Sequence, residues 1–169
     1  MIKRWLKKIL VKVYQIQQNL AQDEIYQSYR DNYEIAPSFR FNGPNVKLYG
    51  KGKIVIGAHT YIGSYSTLQT SPGAKIEIGD KCRISHNVRI YTTTGFSDQD
   101  FTSDELKRYE ANVTIGHGVW IGVNVFISPG ITIGNNAIIG ANSVVAHDVE
   151  ENAIVGGVPA KLIRMKKME

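Results

Sequence analysis

Residues 113–145 read VTIGHGVWIGVNVFISPGITIGNNAIIGANSVV, and an aliphatic side chain returns at every sixth position: Ile115, Ile121, Ile127, Ile133, Ile139 and Val145. The same ladder runs through Ile56, Ile62 and Leu68, and again through Ile78, Ile84 and Ile90. Glycine follows the aliphatic at Gly57, Gly63, Gly79, Gly116, Gly122, Gly134 and Gly140. The fourth residue after it is usually small or branched, as Thr60, Ser66, Cys82, Val88, Thr94, Val119, Val125, Ala137 and Ser143 show. A unit of six residues cannot bury its own apolar side, so it must stack on copies of itself, and the aliphatics become the core column of a solenoid. Period six fits neither a helix nor plain strand alternation. It does fit a triangular coil of three short strands, with glycine expected at the corners because it tolerates positive φ.

Two departures interrupt the ladder. Leu68 to Ile78 is ten residues rather than six, which places a corner bulge around Ser71-Pro72-Gly73. Ile90 to Ile115 is twenty-five residues, so an excursion runs over 95–113. Long loops on rigid scaffolds are common carriers of function. Ser103 followed by Asp104 and Glu105 predicts one or two helical turns inside it, and Phe96 and Phe101 are expected to pin it against a coil, its own or a neighbour's. Asn42-Gly43-Pro44-Asn45 is expected to open an imperfect first coil, with Val46 and Leu48 as its apolar contributions.

No glycine or proline precedes Pro37, whereas all the glycines lie between Gly43 and Gly157. That shift divides the chain into a helical segment, 1–35, and a solenoid, 36–169, whose last residues, 148–169, form a closing cap. Ile2, Trp5, Leu6, Ile9, Val13, Ile16 and Leu20 make one apolar stripe at three- and four-residue steps. Two uses compete for it: a cap on the exposed edge of the first coil, which the polar second half with Gln15, Gln17, Gln18 and Gln22 favours, or a basic amphipathic helix (residues 1–20) on an anionic membrane surface. Interrupting lysines make the segment neither a secretory signal nor a membrane span.

The net charge of +5 sits at the ends. Lys3, Arg4, Lys7, Lys8 and Lys12 face no acid, and Lys161, Arg164, Lys166 and Lys167 face only Glu169, so the body between is mildly acidic. A nucleic-acid partner would need a basic stripe on the body itself. The single cysteine, Cys82, rules out an intramolecular disulfide and occupies a small inward slot, so it reads as core packing and the chain as cytoplasmic.

The ladder, together with Trp120-Ile121-Gly122, Ser128-Pro129-Gly130, Gly140-Ala141-Asn142-Ser143 and Gly157-Val158-Pro159-Ala160-Lys161, resembles the hexapeptide-repeat acyltransferases over roughly residues 44–165, and within them the sugar O-acetyltransferase branch. The resemblance implies a left-handed parallel β-helix with an N-terminal helix and a short C-terminal capping segment. It also implies a homotrimer with acetyl-CoA between neighbouring solenoids, a sugar or glycan acceptor, no metal, and a place in cell-surface or capsular polysaccharide synthesis. The handedness comes from the family alone, since general crossover rules favour the opposite hand. By the same resemblance Trp120 lines the pantetheine groove, Gly122 and Ala141 hydrogen-bond the pantetheine arm, Ala146 lies nearer the nucleotide, and Lys161 and Arg164 meet the phosphates.

Acyl transfer in this superfamily is direct, with a histidine taking the proton of the attacking hydroxyl or amine, a role suited to its pKa near neutrality. The O-acetyltransferase branch carries that histidine at the start of the long loop, where this chain has Tyr91-Thr92-Thr93-Thr94-Gly95-Phe96. Ser85-His86-Asn87-Val88-Arg89-Ile90 instead resembles the histidine string of acyltransferases acting on nucleotide-linked amino sugars and lipid A precursors. His86 is therefore the candidate base, with Asp98 or Asp100 as the fallback. Asn87, Tyr91 and Asp98 are the candidate acceptor contacts. His59, His117 and His147 fall on ordinary turns. The alternatives are an N-acetyltransferase of a nucleotide-linked amino sugar and a catalytically inactive scaffold trimer. A zinc-dependent carbonic anhydrase on the same fold fails, because five residues after His117 stands Gly122.

Overall fold

The structure, a computed structural model, describes residues 4–167, so Ile2 and Lys3 of the N-terminal stripe lie outside the described residues. Two compact units divide the chain, a helix up to Asn32 and a solenoid from Tyr33 onward. The helix, Arg4–Asn32, runs unbroken because nothing before Pro37 lacks a backbone donor or a side chain. It buries none of its side chains. No helix among the described residues is long and apolar enough to cross a membrane.

The solenoid has three faces of parallel strands. The first stacks Glu34–Ile35, Lys53–Ile56, Lys75–Ile78, Val113–Ile115 and Thr132–Ile133. The second stacks Arg40–Asn42, Tyr61–Gly63, Arg83–Ile84, Trp120–Ile121, Ile138–Ile139 and Ala153–Gly157, and Ala160–Met165 then folds back antiparallel on the last of these. The third stacks Lys47–Gly50, Thr67–Thr70, Arg89–Tyr91, Phe126–Ile127 and Val144–Val145. Strand register converts the sixfold spacing into three columns. Ile56, Ile78, Ile115 and Ile133 pair in turn on the first face, Ile62, Ile84, Ile121 and Ile139 on the second, and Leu68, Ile90, Ile127 and Val145 on the third. All twelve are at most 2% exposed. This is the expected parallel β-helix with its N-terminal helix and C-terminal closing hairpin.

Polar groups in the small inward slots are paired rather than stranded. Thr60 Oγ1 donates to the Gly79 carbonyl at 2.7 Å and accepts from the Cys82 amide at 3.0 Å, and Ser66 repeats the pattern with Ser85 and Val88. Cys82 is fully buried, donates to the Gly116 carbonyl at 3.0 Å, and has its thiol pushed up chiefly by burial. It packs the core, as its slot predicts.

Four local expectations need correction. None of the seven ladder glycines has positive φ; that conformation belongs to corner residues such as Asn87, Asn124, Asn142 and Asn136. All but Gly140 are required instead by the next coil: a Cβ on Gly122 would stand 2.6 Å from the Ala141 amide nitrogen, and one on Gly57 2.6 Å from that of Asp80. The first coil begins at Glu34 rather than Asn42, since Glu34–Ile35 pairs with Val55–Ile56 and Phe39 fills the core at 2% exposure. Thr94 is not an inward residue, because the chain leaves the coil at buried Thr92, whose hydroxyl accepts from the Ser71 amide at 2.8 Å.

The excursion, finally, holds no helix. Thr93–Gly95 and Arg108–Glu110 pair antiparallel, so the intervening residues need only turn the chain, and Ser103 Oγ accepts the Glu105 amide locally instead of capping a helix. Phe96 packs edge-on against Tyr109 of the same hairpin, and both Phe96 and Phe101 remain exposed on this chain. Tyr109 itself leans over the Ser128-Pro129-Gly130 corner, where its hydroxyl would meet a Cβ on Gly130 at 2.7 Å.

Candidate functional site

The corner between the second and third faces is a stack of near-identical turns: Ser64-Tyr65, then Ser85-His86-Asn87, Gly122-Val123-Asn124 and Gly140-Ala141-Asn142. Backbone bonds tie each turn to the one before. The Asn87 amide donates to the Ser64 carbonyl at 2.9 Å, Asn124 to His86 at 3.1 Å, and Asn142 to Val123 at 2.9 Å. Side chains reinforce the stack, with Asn87 donating to Asn124 and Asn124 to Asn142. Asparagine suits these positions because it tolerates the left-handed conformation and supplies both a donor and an acceptor.

His86 is exposed on this corner, with its ring over Gly63, where a Cβ would meet Nδ1 at 2.8 Å. Gly122 and Ala141 are one and two coils further along, and strand spacing puts Ala141 roughly 10 Å from His86. Trp120, 53% exposed, stands on the adjoining second face in one outward row with Ile138, Ile154 and Arg164. Lys161 pairs across from Gly156 on the same returning strand. Arg164, Lys166 and Lys167 line a groove of about 560 Å³ beside Ile138 and Ile154. Partial desolvation lowers the pKa of Lys166, which donates to Asn136 at 2.5 Å.

The chain therefore gathers His86, Asn87, Trp120, Gly122, Ala141, Lys161 and Arg164 along one corner and the face next to it. It keeps the remaining candidates apart. Ala146 follows Val144–Val145 at the far edge of the third face, the edge from which the hairpin leaves, and Asp98 and Asp100 ride on that hairpin beyond Gly95. Asp100 accepts the Thr102 hydroxyl at 2.7 Å and its amide at 2.9 Å, and these bonds hold its carboxyl below the usual carboxylate range. Asp98 lines a concavity of about 580 Å³ made by the hairpin itself. Tyr91 lies on the third face between the two edges, edge-on to Phe126 at 5.5 Å. Asn87 is already engaged, by Asn124 and by Arg89 Nη1 at 2.8 Å.

His59, His117 and His147 sit on other turns, and His117 Nδ1 accepts the Asp80 amide at 3.0 Å. Among the described residues no three His, Cys, Asp or Glu side chains form a metal-binding group. Lys47, Tyr65 and Arg89 complete the surroundings of the corner and carry no motif, while Lys166 stands at the opposite edge of the second face, beside Asn136 and Asn152. Tyr65 alone carried a signal, as the one aromatic where the other turns have asparagine.

The family described as bacterial transferase hexapeptide (six repeats) matches residues 112–147, and the hexapeptide repeat of succinyl-transferase matches 53–92. A putative acetyltransferase of Saccharomyces cerevisiae is 40% identical over 83% of this chain and 67% of its own length. The galactoside O-acetyltransferase of Escherichia coli is 33% identical over 53% of this chain, which spans 43% of that relative. An Escherichia coli dTDP-4-amino-4,6-dideoxy-D-glucose acyltransferase is 32% identical over 82% of this chain and 75% of its own length. Among solved structures, a Vibrio cholerae hexapeptide-repeat acetyltransferase complexed with acetyl-CoA superposes with a TM-score of 0.76 at 31% identity, covering 86% of this chain and 78% of that one. This chain belongs to the hexapeptide-repeat acyltransferase family.

Proposed function

We propose that the protein transfers an acetyl group from acetyl-CoA to a sugar hydroxyl, in the building of a cell-surface or capsular polysaccharide, with His86 as the general base. The observation that carries this is the sharing of one corner by His86, Gly122 and Ala141 on consecutive coils. In that arrangement His86 takes the proton of the acceptor hydroxyl as its oxygen attacks the thioester carbon. The C–S bond breaks, and the departing thiolate of CoA takes up a proton. Backbone amides along the corner offer donors for the developing oxyanion. Trp120, Gly122 and Ala141 would hold the pantetheine arm, Ala146 would lie nearer the nucleotide, and Lys161 and Arg164 would hold phosphates. Asp100 is the weaker fallback base because its carboxyl is already bonded to Thr102. Asp98 remains the other.

The active assembly in this reading is a homotrimer. Ala146 and the hairpin occupy one edge of the third face while His86 and Ala141 occupy the other, so a neighbour's edge would complete the groove. A second reading, N-acetylation of a nucleotide-linked amino sugar, is supported by the Ser85–Ile90 string and by the amino-sugar acyltransferase relative. Mass spectrometry of acetyl transfer over a panel of free, nucleotide-linked and oligomeric sugars tests both. Alkali-labile acetyl esters support the first, alkali-stable amides the second, and no acetylated product with any acceptor leaves the inactive scaffold.

A further inference from the structure

The turn that carries Tyr65 breaks the pattern of its own corner. Asn45, Asn87, Asn124 and Asn142 hold the left-handed conformation at φ between 55° and 63°, and in the second coil Tyr65 does so at 63°. Asparagine enters this region readily, whereas a bulky side chain there is an outlier. Burial does not compensate Tyr65, since it is 59% exposed. His59 and Lys81 share this conformation and exposure on another corner, so what singles out Tyr65 is the groove its ring lines.

The surroundings say what kind of ligand. Tyr65 lines a groove of about 630 Å³ together with Asn45, Lys47, Thr67, Asn87 and Arg89. Lys47, Thr67 and Arg89 are register partners on adjacent strands of the third face, which spaces the two cations roughly 10 Å apart along the backbone. No carboxylate lines the groove. Arg89 Nη1 is oriented at 2.8 Å by the neutral Asn87 amide, which leaves the guanidinium charge uncompensated. Two cations beside an exposed aromatic ring suit a sugar ring lying on the tyrosine with a phosphate at its reducing end.

Position along the axis agrees. The groove occupies the first three coils, His86 stands at its upper end, and Gly122 and Ala141 continue from His86 in the opposite direction. We propose that this groove is the acceptor subsite and that the acceptor is a sugar carried on a phosphate or diphosphate, with Tyr65 as the platform for the sugar and Lys47 and Arg89 as the phosphate holders. The proposal rests on the acetyl-transfer reading for its placement beside His86, and its anion chemistry is testable without turnover.

One sugar is offered free, as its nucleoside diphosphate, and on a short polyprenyl diphosphate, and kcat/KM is measured for each. A preference of tenfold or more for either diphosphate over the free sugar is expected, and whichever diphosphate is preferred identifies the carrier. Lys47→Ala with Arg89→Ala should reduce that preference at least tenfold. Tyr65→Asn should raise the acceptor KM several-fold while leaving the melting temperature unchanged or higher, because it relieves the strained turn. Loss of melting temperature in Tyr65→Asn with an unchanged KM would assign the tyrosine a purely structural role and overturn its part. Equal use of free and carried sugar by the wild type would overturn the phosphate subsite while leaving acetyl transfer intact. If no acceptor is acetylated, the acetyl-transfer reading fails by itself. Calorimetry of a nucleoside diphosphate then decides the subsite, in a Lys161→Ala, Arg164→Ala background that removes the proposed CoA phosphate contacts. Binding abolished by the further Lys47 and Arg89 changes supports the subsite, and undetectable or unaltered binding overturns it.

Discussion

Gly57 and Gly122 show what a single residue does in this fold. Each lies under the backbone of the next coil, so a methyl group at either position has nowhere to go. Gly57→Ala should destabilise the solenoid by about 1 to 3 kcal/mol in chemical denaturation, the range for overpacking a close contact. Gly73→Ala meets no atom within 4 Å, and at φ 79° it should cost only its backbone strain. The positions of these glycines were legible in the sequence while their reason was not, because a spacing reports where glycine recurs and not which neighbour excludes a side chain. The proposed phosphate contacts can be tested in the same way. Replacing Lys161 and Arg164 together with alanine should weaken CoA binding by about 1 to 3 kcal/mol, through lost charge-assisted hydrogen bonds. Unchanged affinity by calorimetry would make both residues a solvated strand.

Whole elements separate what repeats from what does not. The twelve ladder aliphatics were legible as core, since six-residue periodicity and strand register are one fact seen along and across the chain. The start of the first coil is hidden in the sequence, because a two-residue strand at Glu34–Ile35 and a phenylalanine, Phe39, in the inward slot that Thr60 fills one coil on carry no periodic signal. The hairpin is hidden in the sequence for a related reason. Local propensity at Ser103 favours a helix start, but pairing of Thr93–Gly95 with Arg108–Glu110 is a contact between residues thirteen or more apart. Asp100→Asn on this hairpin should leave turnover within a few-fold of wild type, because its carboxylate serves the local turn with Thr102. A large loss would transfer the role of base to the loop. For the N-terminal helix we propose the cap. Deleting residues 1–20 should lower the melting temperature or cause aggregation. Strongly salt-sensitive co-sedimentation with anionic vesicles, combined with an undisturbed melting temperature after deletion, would establish membrane contact instead.

At the level of the whole molecule, the candidate residues divide between two edges of one face. His86, Gly122 and Ala141 were legible as separate motifs, whereas their alignment on one corner depends on coil phase, which an irregular ten-residue spacing and a long excursion obscure in the sequence. The division predicts a trimer by sedimentation equilibrium, and full activity in a monomer would contradict the shared groove. It also makes His86 the centre of the account. The most direct test is turnover of acetyl-CoA by His86→Ala on the best acceptor of the panel, with CoA affinity measured on the same preparation. A loss of roughly 10²- to 10⁴-fold in kcat with CoA binding nearly intact is the predicted result for a general base. Wild-type turnover in His86→Ala, with activity abolished instead by Asp98→Asn, would contradict it.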